Sequence, residues 1–332
     1  MVEQKASDRA VWLDIFKYFL AFLVICIHLA GESYWHFPVY RLAVPTFFMI
    51  SGYFIRAESG EKSLAKAKGF IGRSLRYMAI GFAINIAFDI VWCYYEGVGV
   101  GYYFTTLFYE NFLLEFFILN RSVSYWGAQL WFLIALFVVS LIHYALVRFQ
   151  KTNWYKFLIP VCFFIYFFFS AFMHFFQDTD IPVRYMRNAL FFGLPTFGFG
   201  YLLAGKNFHK KPWCKFLYLG LGVVFFFLQI GEHALLHTPN ESLEMYVSGV
   251  ISGACFLLSL STFKSDKFGW FYKAVGKNGA FYIYVLHLSV AVLLSWFISF
   301  PNAIVKCLAV FAVSFLIYEI GFLISKALKK KK

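Results

Sequence analysis

Ten apolar runs divide this chain, and the basic residues between them fall almost wholly on alternate connections. The runs lie at about 10–31, 40–57, 74–97, 125–148, 157–176, 188–206, 216–236, 244–262, 278–298 and 303–325. A helix needs roughly 20 apolar residues to cross a bilayer core. Alternate connections carry 24 of the 30 Lys and Arg residues: Lys5 and Arg9, then Arg56 to Arg76, Arg148 to Lys156, Lys206 to Lys215, Lys264 to Lys277, and the tail from Lys326. The opposite set carries 5, namely Arg41, Arg121, Arg184, Arg187 and Lys306, and Lys17 lies inside a run. Cytoplasmic loops concentrate Lys and Arg. The alternation therefore predicts an all-α integral membrane protein, a single polytopic bundle over 1–332, with about ten transmembrane helices and both termini cytoplasmic.

Composition agrees. The chain is 61% hydrophobic and 23% aromatic with a mean hydropathy of +0.68, too apolar for a soluble domain. The net charge of +13 lies in short loops, which points to membrane lipid and away from nucleic acid. No cleavable signal peptide is expected, because the first apolar run is long enough to span. Cys26, Cys93, Cys162, Cys214, Cys255 and Cys307 are scattered without CxxC spacing, so packing is expected rather than disulfides or metal ligation. Segment 58–72 reads as a Lys- and Ala-rich interfacial helix, and 97–124 as an outer interfacial or re-entrant segment able to roof a cavity. Gly249 and Gly253 read as a helix-packing pair. Asn120-Arg-Ser122 and Asn240-Glu-Ser242 match a glycosylation pattern common by chance.

Polar residues inside the runs carry the functional signal. Asp14, Lys17 and His28 share one face of the first helix, since eleven residues turn about three times plus ~20°. Asp14 and Lys17 can pair at i,i+3. A charge at bilayer depth costs at least ~2.5–3.5 kcal/mol, so this face turns toward protein or a wet cavity. A structural ion pair and a hydrogen-bonded histidine would account for it equally well.

The frame Asp14-x-x-Lys17-x10-His28, followed by Arg41-x3-Pro45-x-Phe47-Phe48-x-x-Ser51-Gly52-Tyr53, resembles the opening of the membrane acyltransferase-3 family. Further matches are 126–136, Arg187-Asn188-x3-Phe192 with 198–205, and Gly276-Lys277 through Tyr284-x-x-His287. Together they cover nearly the whole chain. The family usually has Arg where this chain has Lys17, which keeps the charge and loses the planar fork. The resemblance implies an O-acyltransferase of the bacterial cytoplasmic membrane. It would move an acyl group, most often acetyl, from cytoplasmic acyl-CoA to a hydroxyl of an extracytoplasmic glycan or glycolipid.

Acyl transfer needs a base for the hydroxyl proton and a cation or donor for the developing oxyanion. Histidine suits the first task, and His28 is the expected base. Arg41 is the candidate for oxyanion stabilisation or for holding an anionic acceptor. Asp14 and Lys17 are candidates for the pantetheine or phosphate end of acyl-CoA. Trp126, Gln129, Trp131, Arg187, Asn188, Glu232, His233, Tyr284 and His287 are the expected lining of an outward cavity. His143 and His174 read as core or interfacial residues, while Asn85, Asp89 and Glu319 have no assigned role. The sequence holds no HExxH, no GxSxG and no P-loop, so no metal is expected; acetyl-CoA or another acyl-CoA as co-substrate is what the resemblance implies. The alternative is a glycan or lipid transporter using the same cavity without chemistry. A catalytically dead scaffold is a third reading, and a homo-oligomer is compatible with all three.

Overall fold

The computed structural model describes residues 11–31, 37–57, 60–107, 112–172, 185–205, 211, 213–236, 243–263 and 278–330. Their secondary structure is helical throughout. The main helices are α1 (Val11–Leu29), α2 (Phe37–Tyr40), α3 (Ala43–Ile55), α4 (Gly60–Tyr95), α5 (Val100–Leu107) and α6 (Phe112–Phe117). They continue with α7 (Trp131–Arg148), α8 (Tyr155–Phe167), α9 (Leu194–Leu203), α10 (Cys214–Leu236), α11 (Val247–Leu260), α12 (Gly279–Phe297) and α13 (Ala303–Lys330).

Seven of the described helical segments are long and apolar enough to cross a membrane: α1, α4, α7 with the turn before it (Ala128–Arg148), α8 with the turns on either side (Thr152–Ser170), α10, α12 and α13. The other three expected crossings coincide with α3, α9 and α11. They hold 13 residues in α3, 14 in α11, and the apolar stretch Ala189–Leu203 around α9. These shorter helices sit against one another. α3 packs along α9 and also against α11. A helix walled by other helices need not match the lipid thickness with its own length.

Backbone proximity explains several glycines. A methyl group at Gly52 would collide with the Phe197 carbonyl, and one at Gly200 with the Met49 carbonyl. Each helix thus uses a glycine to seat the backbone of the other, which is the small-residue mode of membrane helix packing. Gly249 and Gly253 do the same for α11, against Gln229 of α10 and against Thr46 and Met49 of α3. Their role is internal.

α4 departs from expectation. It runs unbroken for 36 residues, about 54 Å at ~1.5 Å per residue, against a hydrocarbon core of ~30 Å. The sequence suggested a separate interfacial helix over 58–72. Lys and Ala favour helix, and a helical glycine costs only about 1 kcal/mol, so Gly69 and Gly72 do not interrupt it.

Asp89, wholly buried on α4, organises the segment that follows. It accepts hydrogen bonds from Tyr103 Oη at 2.5 Å, Ser124 Oγ at 2.6 Å, and the backbone N–H groups of Tyr125 at 3.0 Å and Trp126 at 3.1 Å. A carboxylate with four donors is a satisfied buried charge. Burial and then the Asp89 hydrogen bond push the Tyr103 phenol up. Asn120 is also wholly buried, in left-handed backbone at φ 56°, and its Oδ1 accepts from Ala189 N at 2.6 Å. That burial closes the Asn120 sequon to modification in the folded chain.

Candidate functional site

The last turn of α1 carries His28, and the middle of α12 carries His287. Their ring centroids lie 5.3 Å apart with the planes inclined at 35°. His287 is fully buried. Its Nδ1 is 2.6 Å from the carbonyl oxygen of Tyr284, one turn earlier. The Tyr284 hydroxyl donates to the Gln129 carbonyl. Gln129 Nε2 donates to the Val285 carbonyl at 3.0 Å, and Asn85 Nδ2 donates to the same carbonyl at 3.2 Å. Ser289 Oγ reaches Asn85 Oδ1 at 3.3 Å. These bonds fasten α12 to α4 and to the turn before α7, and so fix where His287 stands.

A second cluster lies beside His28. Glu244, 8% exposed, accepts from Arg41, 6% exposed, and from Arg187 Nη1 at 3.0 Å. Arg41 stacks over Phe37 at 4.8 Å and Arg187 over Trp131 at 5.4 Å. The charges of both arginines reach His28. One carboxylate thus bridges two guanidiniums. Charge-assisted bonds of this kind are short, and they hold both planes in place.

Other expected residues serve the scaffold here. Asn188 caps the π-helical turn Ala189–Gly193, accepting from Leu190 N at 2.8 Å and Phe191 N at 3.0 Å. Glu232 accepts from Val247 N at 2.7 Å and Ser248 N at 2.8 Å, closing the start of α11 onto α10. His233 Nδ1 meets Tyr246 Oη at 2.9 Å. Trp126 packs edge-on to Trp92 at 5.9 Å. His143 meets Tyr155 Oη at 3.0 Å in an aromatic surround, as a core residue would, and His174 lies outside the described residues.

At the opposite end, Lys17 Nζ is 2.8 Å from Asp14 Oδ1, the expected i,i+3 pair. Lys17 also lines a cavity of about 300 Å³. Its lining includes Arg73, Asn278 and Phe54, which are exposed and mark the mouth together with half-buried Lys17, and also Phe47, Phe132 and Phe281. It reaches Tyr284, one helical turn short of His287. Among the described residues, no group of three His, Cys, Asp or Glu side chains is placed to hold a metal.

Two participants escaped the sequence reading. Glu244 stands in the approach to α11, and the pairing of Arg41 with Arg187 at one depth was the available sign that a carboxylate had to lie nearby. Arg73 read as one more basic loop residue, because only the folded α4 brings it to the cavity mouth.

A protein-family model described as an acyltransferase domain matches residues 10–319. No curated protein and no solved structure is matched. The match takes in both histidines, both arginine partners of Glu244 and every residue lining the cavity. With seven apolar helices of spanning length, the chain belongs to the acyltransferase-3 family of membrane acyltransferases.

Proposed function

We propose that the protein transfers an acyl group, most readily acetyl, from acyl-CoA on the cytoplasmic side to a hydroxyl of a glycan or glycolipid on the outer side of a bacterial cytoplasmic membrane. The observation that carries this reading is the cavity. Its cationic mouth suits the phosphates of the donor, and its aromatic body suits a thin amphipathic arm. Its far end lies one turn from the histidine pair. Asp14 holds Lys17 toward the mouth, where Arg73 adds a second cation. His28 is the general base, in the helical turn where the resemblance places it. It takes the hydroxyl proton as the oxygen bonds to the acyl carbon. The carbon–sulfur bond breaks, and the thiolate takes the proton back from His28. Arg41 and Arg187 supply positive charge for the oxyanion between these steps.

The reading also carries ten crossings with both termini inside. Reporters fused after Lys68, Lys210 and Lys273 then score cytoplasmic, and those after Thr179 and Pro239 external; an external score at Lys210 breaks the topology. Function is tested by supplying radiolabelled acetyl-CoA to purified protein together with membranes of the producing cells. Label in a base-labile ester of the glycan or lipid fraction supports transfer. Binding of that fraction with no label transferred favours transport without chemistry.

A further inference from the structure

We infer that His287 is a positioning residue for His28: its Nε2 receives the N–H of the His28 ring and so aims the other His28 nitrogen at the acceptor hydroxyl. The inference rests on the acyl-transfer reading above and adds how the base is held.

Three observations carry it. First, Nδ1 of His287 faces a carbonyl oxygen at 2.6 Å. A carbonyl only accepts, so Nδ1 bears the proton, and in the neutral ring Nε2 is left as an acceptor. Second, Nε2 is fully buried and has no hydrogen-bond partner among the described residues. A buried acceptor without a donor is costly, and such groups in native proteins call for an explanation. Third, among the described residues its ring neighbours that carry a donor are His28 at 5.3 Å and Tyr284 at 6.1 Å, and the Tyr284 hydroxyl is already given to Gln129, which leaves His28 as the ring donor.

The surroundings of His28 point the same way. Among the described residues, the arginines whose charge acts on it are Arg41 and Arg187, both held by Glu244. A guanidinium has donors only, so neither arginine takes an N–H from His28. Nε2 of His287 does. At 5.3 Å between centroids a small rotation of the His28 ring closes the bond, and catalytic hydrogen bonds often tighten only with substrate bound. The arrangement parallels the way a buried acceptor fixes the tautomer of a catalytic histidine in hydrolase triads. Here a neutral imidazole takes the place of the carboxylate.

The two amide side chains separate this role from a merely structural one. Glutamine places its Oε1 near the position of Nε2 and keeps an acceptor for His28. Asparagine places its amide near the position of Nδ1 and keeps only the bond to the Tyr284 carbonyl. His287→Gln and His287→Asn are purified and normalised to folded protein. Each is given radiolabelled acetyl-CoA and membranes of the producing cells. The expected result is a kcat for His287→Gln at least tenfold above that of His287→Asn, with the KM for acetyl-CoA within twofold of wild type in both. Equal kcat values, or Asn above Gln, overturn the positioning role. If wild-type protein transfers no label, the acyl-transfer reading falls first and this inference with it.

Discussion

The two ends of this bundle handle charge in opposite ways. At the His28 end, Arg41, Arg187 and Glu244 are locked to one another, and the Gln129–Asn85–Ser289 network fixes the helix that bears His287. At the Lys17 end, one modest ion pair and one exposed arginine border an open space with aromatic walls. Tight pairing removes freedom from groups that must stand in one geometry, as a reacting centre requires. Open walls and a loose cationic rim tolerate a flexible ligand that enters and leaves. Under the proposed function, the first end carries the chemistry and the second binds the donor.

The sharpest break would come at the base. A general base contributes ~10²–10⁴-fold, or about 2.7–5.4 kcal/mol at ~1.36 kcal/mol per decade. His28→Asn is expected to lose at least 100-fold in turnover while binding acetyl-CoA as wild type does. More than about a tenth of wild-type turnover would remove His28 from that role.

Glu244 tests whether the arginine cluster is held or merely adjacent. Removing one member of a buried ion group costs about 3–5 kcal/mol, because a charge is left unpaired. Glu244→Gln should lower the Tm of the solubilised protein markedly, and adding Arg187→Gln should recover part of that loss. A Tm unchanged by the single substitution would mean that the cluster is hydrated and loosely held.

The donor end is probed by filling it. Ala280 lines the cavity, and Ala280→Phe is expected to raise the KM for acetyl-CoA about tenfold, equivalent to ~1.4 kcal/mol. Titration of acetyl-CoA against the purified variant checks this, and an unchanged KM would place the donor elsewhere.

Lys17 carries the smallest expected effect. It is 29% exposed and paired with Asp14, and such pairs contribute roughly 0.2–1 kcal/mol. Lys17→Arg should keep the KM for acetyl-CoA, and Lys17→Ala should raise it a few-fold at equal folded protein. Loss of folded protein without a change in KM would make the pair purely structural.

Much of this was legible in the chain because membranes impose simple rules. Apolar length gave the helical membrane bundle, of which seven described helices are long enough to cross, and eleven-residue spacing put Lys17 and His28 on one face. Local chemistry could not reveal Glu244, since its two partners lie 203 and 57 residues away in sequence. Asn188 and Glu232 looked like cavity residues because polar groups near helix ends read alike, whether they cap a neighbour or face a ligand. Asp89, without a role in the sequence, holds a four-donor clamp whose donors come from 14 to 37 residues downstream.

The sequence by itself determined a helical membrane bundle, its family frame, and the three polar positions Asp14, Lys17 and His28 on α1. Those depend on hydropathy, period and charge, all of which are local. Only the tertiary structure decided that His28 faces His287, that Arg41 and Arg187 share Glu244, and that Arg73 borders the cavity. Each of these is a meeting of side chains from different helices. It is set by how glycines such as Gly52 and Gly200 let backbones approach, and by which buried donor finds which acceptor.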